Sequence, residues 1–366
     1  MEIKSPNNSN LPNVISFLNK HLRSKVDWSV NNEYPVAVSN YNLNNIKFIE
    51  DAGSIVSHAL LKYLMIKTPV GLFKVAIVGS VVTDKDHQKK GLANKLITEL
   101  LAKAQKDNCD ICLLWSDLDT FYNKLGFELA GSEEHLSIQK PNGQLTINNE
   151  LRFSDAKNID PKLILKLFSE HQIGSVRSEK EIASYLKIPN SKVFTLWNDK
   201  NNLLAYAIKG RGMDLPNVIH EWGGNVPNLL QLFSHISHSK EVNDFQLITS
   251  STATNLINKI KDNFVCSHDS RTLGYIKILN MQNIHYKILR WARLQGEHHF
   301  QTFSQNNKIY LRYKSKNYQL PNNNALTRLV WGPITQDLIE HLDPDLQRAL
   351  LAVFPLPIWV WGWDIA

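Results

Sequence analysis

Residues 74–104, KVAIVGSVVTDKDHQKKGLANKLITELLAKA, carry the pattern that is most specific for a fold. The apolar, β-branched run Val75–Thr83 predicts a buried strand. After a short polar turn, leucines recur at helical spacing at positions 92, 96, 100 and 101, which predicts an amphipathic helix. The first amides of a helix have no partners inside it, and the helix dipole adds partial positive charge there. The stretch therefore predicts an anion site, suited to a diphosphate, that is built from backbone.

The residue types in the turn support this prediction. Gly91 has no Cβ, so the backbone can approach a ligand closely, and Lys89 and Lys90 add positive charge. One glycine before a helix is weak evidence by itself, and a generic strand–turn–helix with a surface glycine is the alternative. The spacing Gln88-x-x-Gly91-x-Ala93 is more specific. It resembles the acetyl-CoA loop of the GNAT superfamily of N-acetyltransferases, which has the pattern Gln/Arg-x-x-Gly-x-Gly/Ala.

A second motif follows in the order that this superfamily requires. The run 110–116, DICLLWS, predicts the next buried strand. The segment 121–128, FYNKLGFE, then resembles the Phe-Tyr-x-x-x-Gly-Phe segment of the GNAT superfamily. Two motifs in the right order, joined by a helix, are much more specific than either alone, so we favour the acetyltransferase interpretation.

The resemblance implies acetyl-CoA as co-substrate, without a metal. The pantetheine arm is expected beside the strand at Val81–Thr83, and the pyrophosphate is expected on the amides of Lys89–Asn94. Ser116 is expected to hold the pantetheine amide or a water, with helix capping as the alternative. The complete set of predicted cofactor-binding residues is Val81, Val82, Thr83, Gln88, Lys89, Lys90, Gly91, Leu92, Ala93, Asn94 and Ser116.

The resemblance also implies a general acid. Tyr122 matches the tyrosine with that role, and a phenol with a pKa near 10 suits donation of a proton to a thiolate. The alternative is an aromatic side chain that only anchors its helix. The base stays open among Asp117, Asp119, the carboxylate of Ala366 and a chain of waters. The adjacent His298 and His299 are predicted to lie in a surface loop.

The chain predicts an internal duplication. Strands and helices over 148–280 repeat the order found over 1–147, which predicts two tandem GNAT-like domains and a C-terminal segment over 281–366. At the critical turn, however, the second unit has Gly223-Gly224-Asn225-Val226-Pro227, and a proline removes one amide. We expect this degenerate unit to form a wall of the acceptor pocket without binding cofactor. The predicted fold class is α/β with mixed sheets.

The last stretch of the sequence is strongly apolar. Residues 354–366, FPLPIWVWGWDIA, contain three tryptophans within five positions, which would not be left in water. They predict either a terminal strap packed on the core or a segment that enters a functional cleft. Tandem units with such an ending resemble the enhanced-intracellular-survival type of acetyltransferase, which implies that the last carboxylate reaches the active site. Before this strap, Asn322-Asn323-Asn324 predicts a surface loop, and 333–341 and 344–353 predict helices.

Composition excludes several classes of protein. The apolar fraction is 43%, no apolar run reaches the roughly 20 residues of a membrane helix, and the N-terminus lacks an apolar signal core, so we expect a cytoplasmic protein. The net charge of +7 is dispersed along the chain, which disfavours a nucleic-acid partner. Cys109 and Cys112 lack a second Cys/His pair at zinc spacing and are predicted to be buried thiols.

These observations support one main hypothesis and two alternatives. The first is an N-acetyltransferase that moves acetyl from acetyl-CoA to a primary amine, in a small molecule or peptide, within a ternary complex. The second is a non-catalytic acyl-CoA-binding sensor. The third is an acyl or aminoacyl transferase that uses another donor. The sequence specifies neither the amine nor the oligomeric state.

Overall fold

The computed structural model describes residues 2–143, 150–155, 158–238 and 244–366, and it has the mixed α/β architecture predicted from the sequence. The strands are β1 (Ile3–Lys4), β2 (Ile46–Asp51), β3 (Ser54–Thr68), β4 (Gly71–Thr83), β5 (Ile111–Leu114), β6 (Glu128–Ala130), β7 (Glu133–Pro141), β8 (Arg152–Asp155), β9 (Gly174–Ser175), β10 (Lys192–Trp197), β11 (Leu203–Lys209), β12 (Val218–Gly224), β13 (Phe245–Ser250), β14 (Phe264–Arg271), β15 (Gly274–Ile278), β16 (Phe300–Gln305), β17 (Lys308–Tyr313) and β18 (Lys316–Gln319).

Helices connect and cover these strands. They are α1 (Leu11–Leu22), α2 (Val30–Glu33), α3 (Leu92–Lys106), α4 (Asp119–Lys124), α5 (Pro161–Ser169), α6 (Glu179–Tyr185), α7 (Val226–Ser237), α8 (Thr254–Asn263), α9 (Met281–Leu294), α10 (Asn323–Trp331), α11 (Gln336–Ile339) and α12 (Pro344–Val353). Short 3₁₀ turns occur at Leu43–Asn45, Lys85–His87 and Gly362–Asp364.

The first sheet positions the turn that the sequence analysis singled out. Its strand order is β1-β2-β3-β4-β5-β15-β6, and β9 adds to β3. The β4–β5 pair is parallel and extends from Val75–Ile111 to Ile77–Leu113. Beyond this pair β4 continues to Thr83 while β5 ends at Leu114, so the end of β4 extends past β5. Helix α3, which connects them, packs its apolar face on this sheet.

The second sheet repeats this parallel strand–helix–strand unit. Its order is β14-β7-β13-β12-β11-β10-β8, and α7 connects the parallel strands β12 and β13. Three strands pair across the domain boundaries predicted from the sequence, because β7 lies in the second sheet while β9 and β15 lie in the first. The predicted boundary at 147/148 lies outside the described residues, so the division into domains stays a prediction.

The C-terminal segment differs from expectation in two helices. It combines a small sheet of β16, β17 and β18 with α9, α10 and α12. The asparagines 322–324 were expected in a loop, but they begin α10, where the Asn322 side chain accepts a hydrogen bond from the Ala325 amide at 2.9 Å. Asparagine is a preferred residue at this capping position. The helix expected over 333–341 is only the short α11.

The terminal strap, residues 354–366, is packed inside the molecule. Trp359, Trp361 and Trp363 are at most 2% exposed. The Trp361 ring packs against Trp222, and its indole N–H donates to the Ile173 carbonyl at 3.0 Å. The strap therefore joins the second sheet to the rest of the core, as the first of its two interpretations predicted.

Candidate active site

A cavity of about 1370 Å³ lies between the two sheets. Most of the residues predicted to bind cofactor or act in catalysis line it: Val81, Thr83, Gln88, Lys89, Gly91, Leu92, Ala93, Asn94, Ser116, Tyr122 and Ala366. Val82 and Lys90 are outside this lining; Val82 packs instead on the apolar cluster around α1, and Lys90 is exposed. The structure thus brings together residues from separate parts of the chain.

A bulge in β4 shapes the wall of the cavity that the first sheet forms. Leu60 pairs with Gly79 and His58 with Val82, so two residues of β4 stand opposite Ala59. Such a bulge breaks the ladder locally and re-aims the backbone. Ser80 has a φ of +49°, and its carbonyl accepts a hydrogen bond of 2.8 Å from His58 Nδ1. Burial lowers the pKa of His58 to about 4, so the ring is neutral at neutral pH.

The turn before α3 has the conformation that an anion site needs. Gly91 is the N-cap residue with a φ of +75°, and Lys89 has a φ of +62°. The first hydrogen bond inside the helix runs from the Lys95 amide to the Gly91 carbonyl at 3.1 Å, so the amides of residues 92–94 precede it. A Cβ on Gly91 would meet no atom within 4 Å, so this turn faces open space.

The equivalent turn of the second unit is closed. The Asn225 side chain caps α7 by accepting from the Asn228 amide at 3.0 Å, and Pro227 occupies the first turn. A Cβ on Gly224 would collide with the Leu204 carbonyl, and residues 223–227 are outside the cavity lining. This turn therefore offers fewer free amides and less free space than the first one.

Tyr122 is an almost buried phenol at the edge of the cavity. It is 4% exposed and packs edge-on against Phe121 and Phe127. Burial raises the pKa of Tyr122 above its ordinary value, although a hydrogen bond with Ser116 opposes this shift. Ser116 Oγ also accepts a hydrogen bond from the Leu118 amide at 3.1 Å, in the turn that precedes α4. Tyr122 therefore stays protonated at neutral pH and can donate a proton.

Of the three residues considered as the base, only Ala366 lines the cavity. Asp119 accepts a hydrogen bond from the Tyr275 hydroxyl, and both Asp119 and Asp117 are outside the cavity lining. Ala366 lines the cavity, and its backbone lies so close to β4 that a side chain on Gly79 would collide with it. His298 and His299 are exposed just before β16, as predicted.

The opposite wall of the cavity comes from segments that the sequence analysis did not select. Glu133 and His135 lie on one face of β7, and their side chains are 2.5 Å apart between Oε1 and Nε2. Their i, i+2 spacing in a strand is a signal that could have identified them. Arg271 of β14 also lines this wall.

Asp214 adds a carboxylate from the loop before β12. It accepts hydrogen bonds from the Tyr34 hydroxyl and from Arg23, the latter at 3.3 Å. Burial raises the pKa of Asp214 above its ordinary value. The wall of the cavity opposite β4 therefore carries both acidic and basic groups.

Other site types find no support in the described parts of the chain. Among residues 2–143, 150–155, 158–238 and 244–366, no group of three or more His, Cys, Asp or Glu side chains could hold a metal ion. No helix in those ranges is long and apolar enough to cross a membrane. Cys109 and Cys112 are buried free thiols, and burial raises the pKa of Cys109 to about 11.

Comparison with known proteins supports the resemblance drawn from the motifs. Residues 3–130 match the family model described as an acetyltransferase (GNAT) domain, which confirms the assignment for this part of the chain. No curated protein sequence gives a significant match.

Solved structures share the fold along the full length of the chain. Eis1 from Mycobacterium abscessus has a TM-score of 0.65 at 11% identity, over 98% of this chain and 99% of that one. A GCN5-related N-acetyltransferase from Anabaena variabilis has a TM-score of 0.67 at 14% identity, over 100% of both chains. One from Kribbella flavida has a TM-score of 0.67 at 12% identity, over 98% and 97%. The predicted likeness to the tandem, enhanced-intracellular-survival type is thus confirmed at the level of the fold.

Proposed function

We propose that this protein is an acetyl-CoA-dependent N-acetyltransferase that transfers the acetyl group directly to a primary amine in a ternary complex. One observation carries the proposal: a single cavity is lined by the glycine turn before α3, by Tyr122, by the last residue and by the second sheet. A thioester held on the first sheet and an amine held against the second would share this space. The match to an acetyltransferase (GNAT) domain supports the same chemistry.

The first unit supplies the groups that would hold acetyl-CoA. The amides of residues 92–94 and the side chain of Lys89 suit the pyrophosphate. Gly79, Ser80 and Val81 of β4 line the cavity beyond the last residue pair with β5, where an extended pantetheine arm can lie. The closed turn at 223–227 supports binding of one acetyl-CoA for each chain, in the first unit only.

In the proposed reaction, the amine nitrogen attacks the thioester carbonyl carbon. A C–N bond forms, the C–S bond breaks, and the Tyr122 hydroxyl gives its proton to the departing sulfur. The nitrogen loses one proton to the carboxylate of Ala366, and both residues return to their starting state by exchange with solvent. The products are an N-acetylated amine and free CoA thiol.

A thiol-release screen tests this proposal. The purified protein is given acetyl-CoA, longer acyl-CoAs or an aminoacyl donor, each with a panel of primary amines. We expect thiol release that depends on acetyl-CoA and on an amine. Calorimetric binding of acetyl-CoA with no release for any amine would instead support a sensor, and release from another donor alone would support the third hypothesis.

A further inference from the structure

The last residues of the chain are held by a buried ion network. Arg177 donates to both carboxylate oxygens of Glu221, at 2.8 and 2.9 Å, and to both oxygens of Asp364, at 3.0 and 2.8 Å. The side chains of all three residues are at most 1% exposed. Arg177 thus links β12 of the second sheet to the residue two positions before Ala366.

Further donors fix the backbone of the same segment. Lys62 of β3 donates to the carbonyls of Trp363 and Asp364, at 3.3 and 2.9 Å. Arg211 donates to the Ile365 carbonyl at 3.1 Å. Carbonyls of three successive residues, 363 to 365, therefore each accept a hydrogen bond from a buried lysine or arginine side chain.

A smaller contact completes the set. Ser175 of β9 donates to Asp364 Oδ2 at 2.7 Å and accepts from Arg177 Nε at 2.9 Å. We call Lys62, Ser175, Arg177 and Asp364 the tail clamp. Its members come from the first sheet, the loop before α6 and the strap itself.

Fold stability alone does not require this arrangement. Three buried tryptophans already attach the strap to the core by their apolar area. Buried ion pairs are costly to desolvate, and replacing them with apolar side chains is often neutral or stabilising. Hydrogen bonds have preferred directions, so they fix the position of the strap backbone more precisely than apolar packing does. The position that they define is that of Ala366 beside Gly79, inside the cavity.

We propose that the residues of the tail clamp are positioning residues, whose role is to hold the carboxylate of Ala366 in place to receive the proton of the acceptor amine. This inference rests on the proposed function. The clamp residues act through Ala366 and are outside the cavity lining themselves. Loss of the clamp is expected to lower kcat without weakening acetyl-CoA binding, because the cofactor turn before α3 is left intact.

A double-mutant cycle tests the inference. Lys62→Met and Asp364→Asn are made in the natural chain and in a chain extended by two alanines after Ala366, which moves the carboxylate. In the natural chain we expect each substitution to lower kcat about tenfold or more, since small misplacements of reacting groups are costly. In the extended chain the same substitutions should have no further effect, because the group that they position has already been lost.

Two variants guard against effects of folding. Ser175→Ala removes two hydrogen bonds and no charge, so it keeps the test possible if Asp364→Asn does not fold, and we expect a smaller loss of kcat. Trp359→Phe is the matched control in the same strap, since it disturbs packing five residues before Asp364. It should lower the melting temperature while leaving kcat close to that of the natural chain.

The outcomes separate the two proposals. Suppose that the extension lowers kcat. If the clamp substitutions then lower kcat by the same factor in the natural and the extended chain, or leave kcat unchanged in both, the positioning role is wrong and the proposed reaction stands. If the extension leaves kcat unchanged, Ala366 is not the base, and the positioning role is overturned with it. Absence of turnover in the natural chain for every amine would contradict the proposed function itself, and the positioning role with it.

Discussion

The two units place the same strand–helix–strand element in two sheets, but only one unit has a turn that is open to a ligand. Before α3, Gly91 has a positive φ and faces open space. Before α7, the Asn225 side chain already accepts a hydrogen bond from the Asn228 amide, and Gly224 lies against the Leu204 carbonyl. The difference indicates that the helix N-terminus becomes an anion site only where its amides are free and a ligand has room.

The largest expected effect comes from closing the open turn. Gly91→Val combines strain at a positive φ with a branched side chain in the path of the pyrophosphate. We expect acetyl-CoA affinity to fall by at least about 100-fold, or about 2.7 kcal/mol of binding free energy, which calorimetry measures, because the branched side chain would keep the pyrophosphate away from the helix amides. Gly53→Val is the matched control, since Gly53 has a φ of +79° and open space around it, in the hairpin turn between β2 and β3 and outside the cavity lining. Equal affinity in both variants would contradict the role of the turn.

The next largest effect concerns the general acid. Tyr122→Phe should lower kcat about 10²- to 10⁴-fold, the usual contribution of a positioned acid, while the Kd for acetyl-CoA stays unchanged. Tyr275→Phe removes a neighbouring phenol hydroxyl that bonds Asp119 instead of lining the cavity. It should change kcat only a few-fold. A similar kcat for Tyr122→Phe and the natural chain, with chemistry rate-limiting, would exclude Tyr122 from the mechanism.

A moderate effect on the KM for the amine is expected from a substitution in the cavity wall that the second sheet forms. His135→Ala should raise KM for the amine about tenfold and leave acetyl-CoA affinity unchanged. The substitution removes the hydrogen bond between His135 and Glu133 on the cavity wall. His268→Ala is the control on the adjacent strand, where His268 bonds Glu134 outside the cavity lining. If His135→Ala changes the affinity for acetyl-CoA and not KM for the amine, the division of the cavity between the two sheets is wrong.

The smallest expected effect is on stability towards acid. Burial lowers the pKa of His58 to about 4 and that of His220 to about 3, below the ordinary value of 6.5. The unfolded chain therefore binds protons first as pH falls below 6.5, and the free energy of unfolding should decrease towards pH 4 by on the order of 1–3 kcal/mol for each group. Urea unfolding at several pH values measures this slope.

His58→Asn sharpens that measurement. Asparagine can keep a donor near the Ser80 carbonyl but does not titrate, so the slope between pH 6.5 and 4 should become smaller. The same change at the exposed His298 is the control for the substitution itself. An undiminished slope in His58→Asn would mean that this histidine does not contribute to acid sensitivity.

The sequence was sufficient for the parts of the site that local pattern determines. The strand that includes Val75–Thr83, the helix beginning at Leu92 and the turn between them follow from periodicity and one glycine. Tyr122 follows from a short motif. These groups lie within 50 residues of one another along the chain, so their relative placement needs little knowledge of the rest of the fold.

The rest of the site depends on contacts between remote segments. The hydrogen bond from Lys62 to the Asp364 carbonyl joins residues that are 302 positions apart, and no local pattern predicts it. Asp214 lines the cavity because the two sheets meet there. Strand β15 enters the first sheet between β5 and β6, since a sheet can take a matching backbone from any segment of the chain.

The number of acetyl-CoA molecules bound by each chain tests the central contrast most directly. Isothermal titration calorimetry of the natural protein should give one site for each chain, and Gly91→Val should abolish it while Gly53→Val retains it. Two equivalent sites, or one site that survives Gly91→Val unchanged, would contradict the account, because the turn before α7 or another surface would then hold the cofactor.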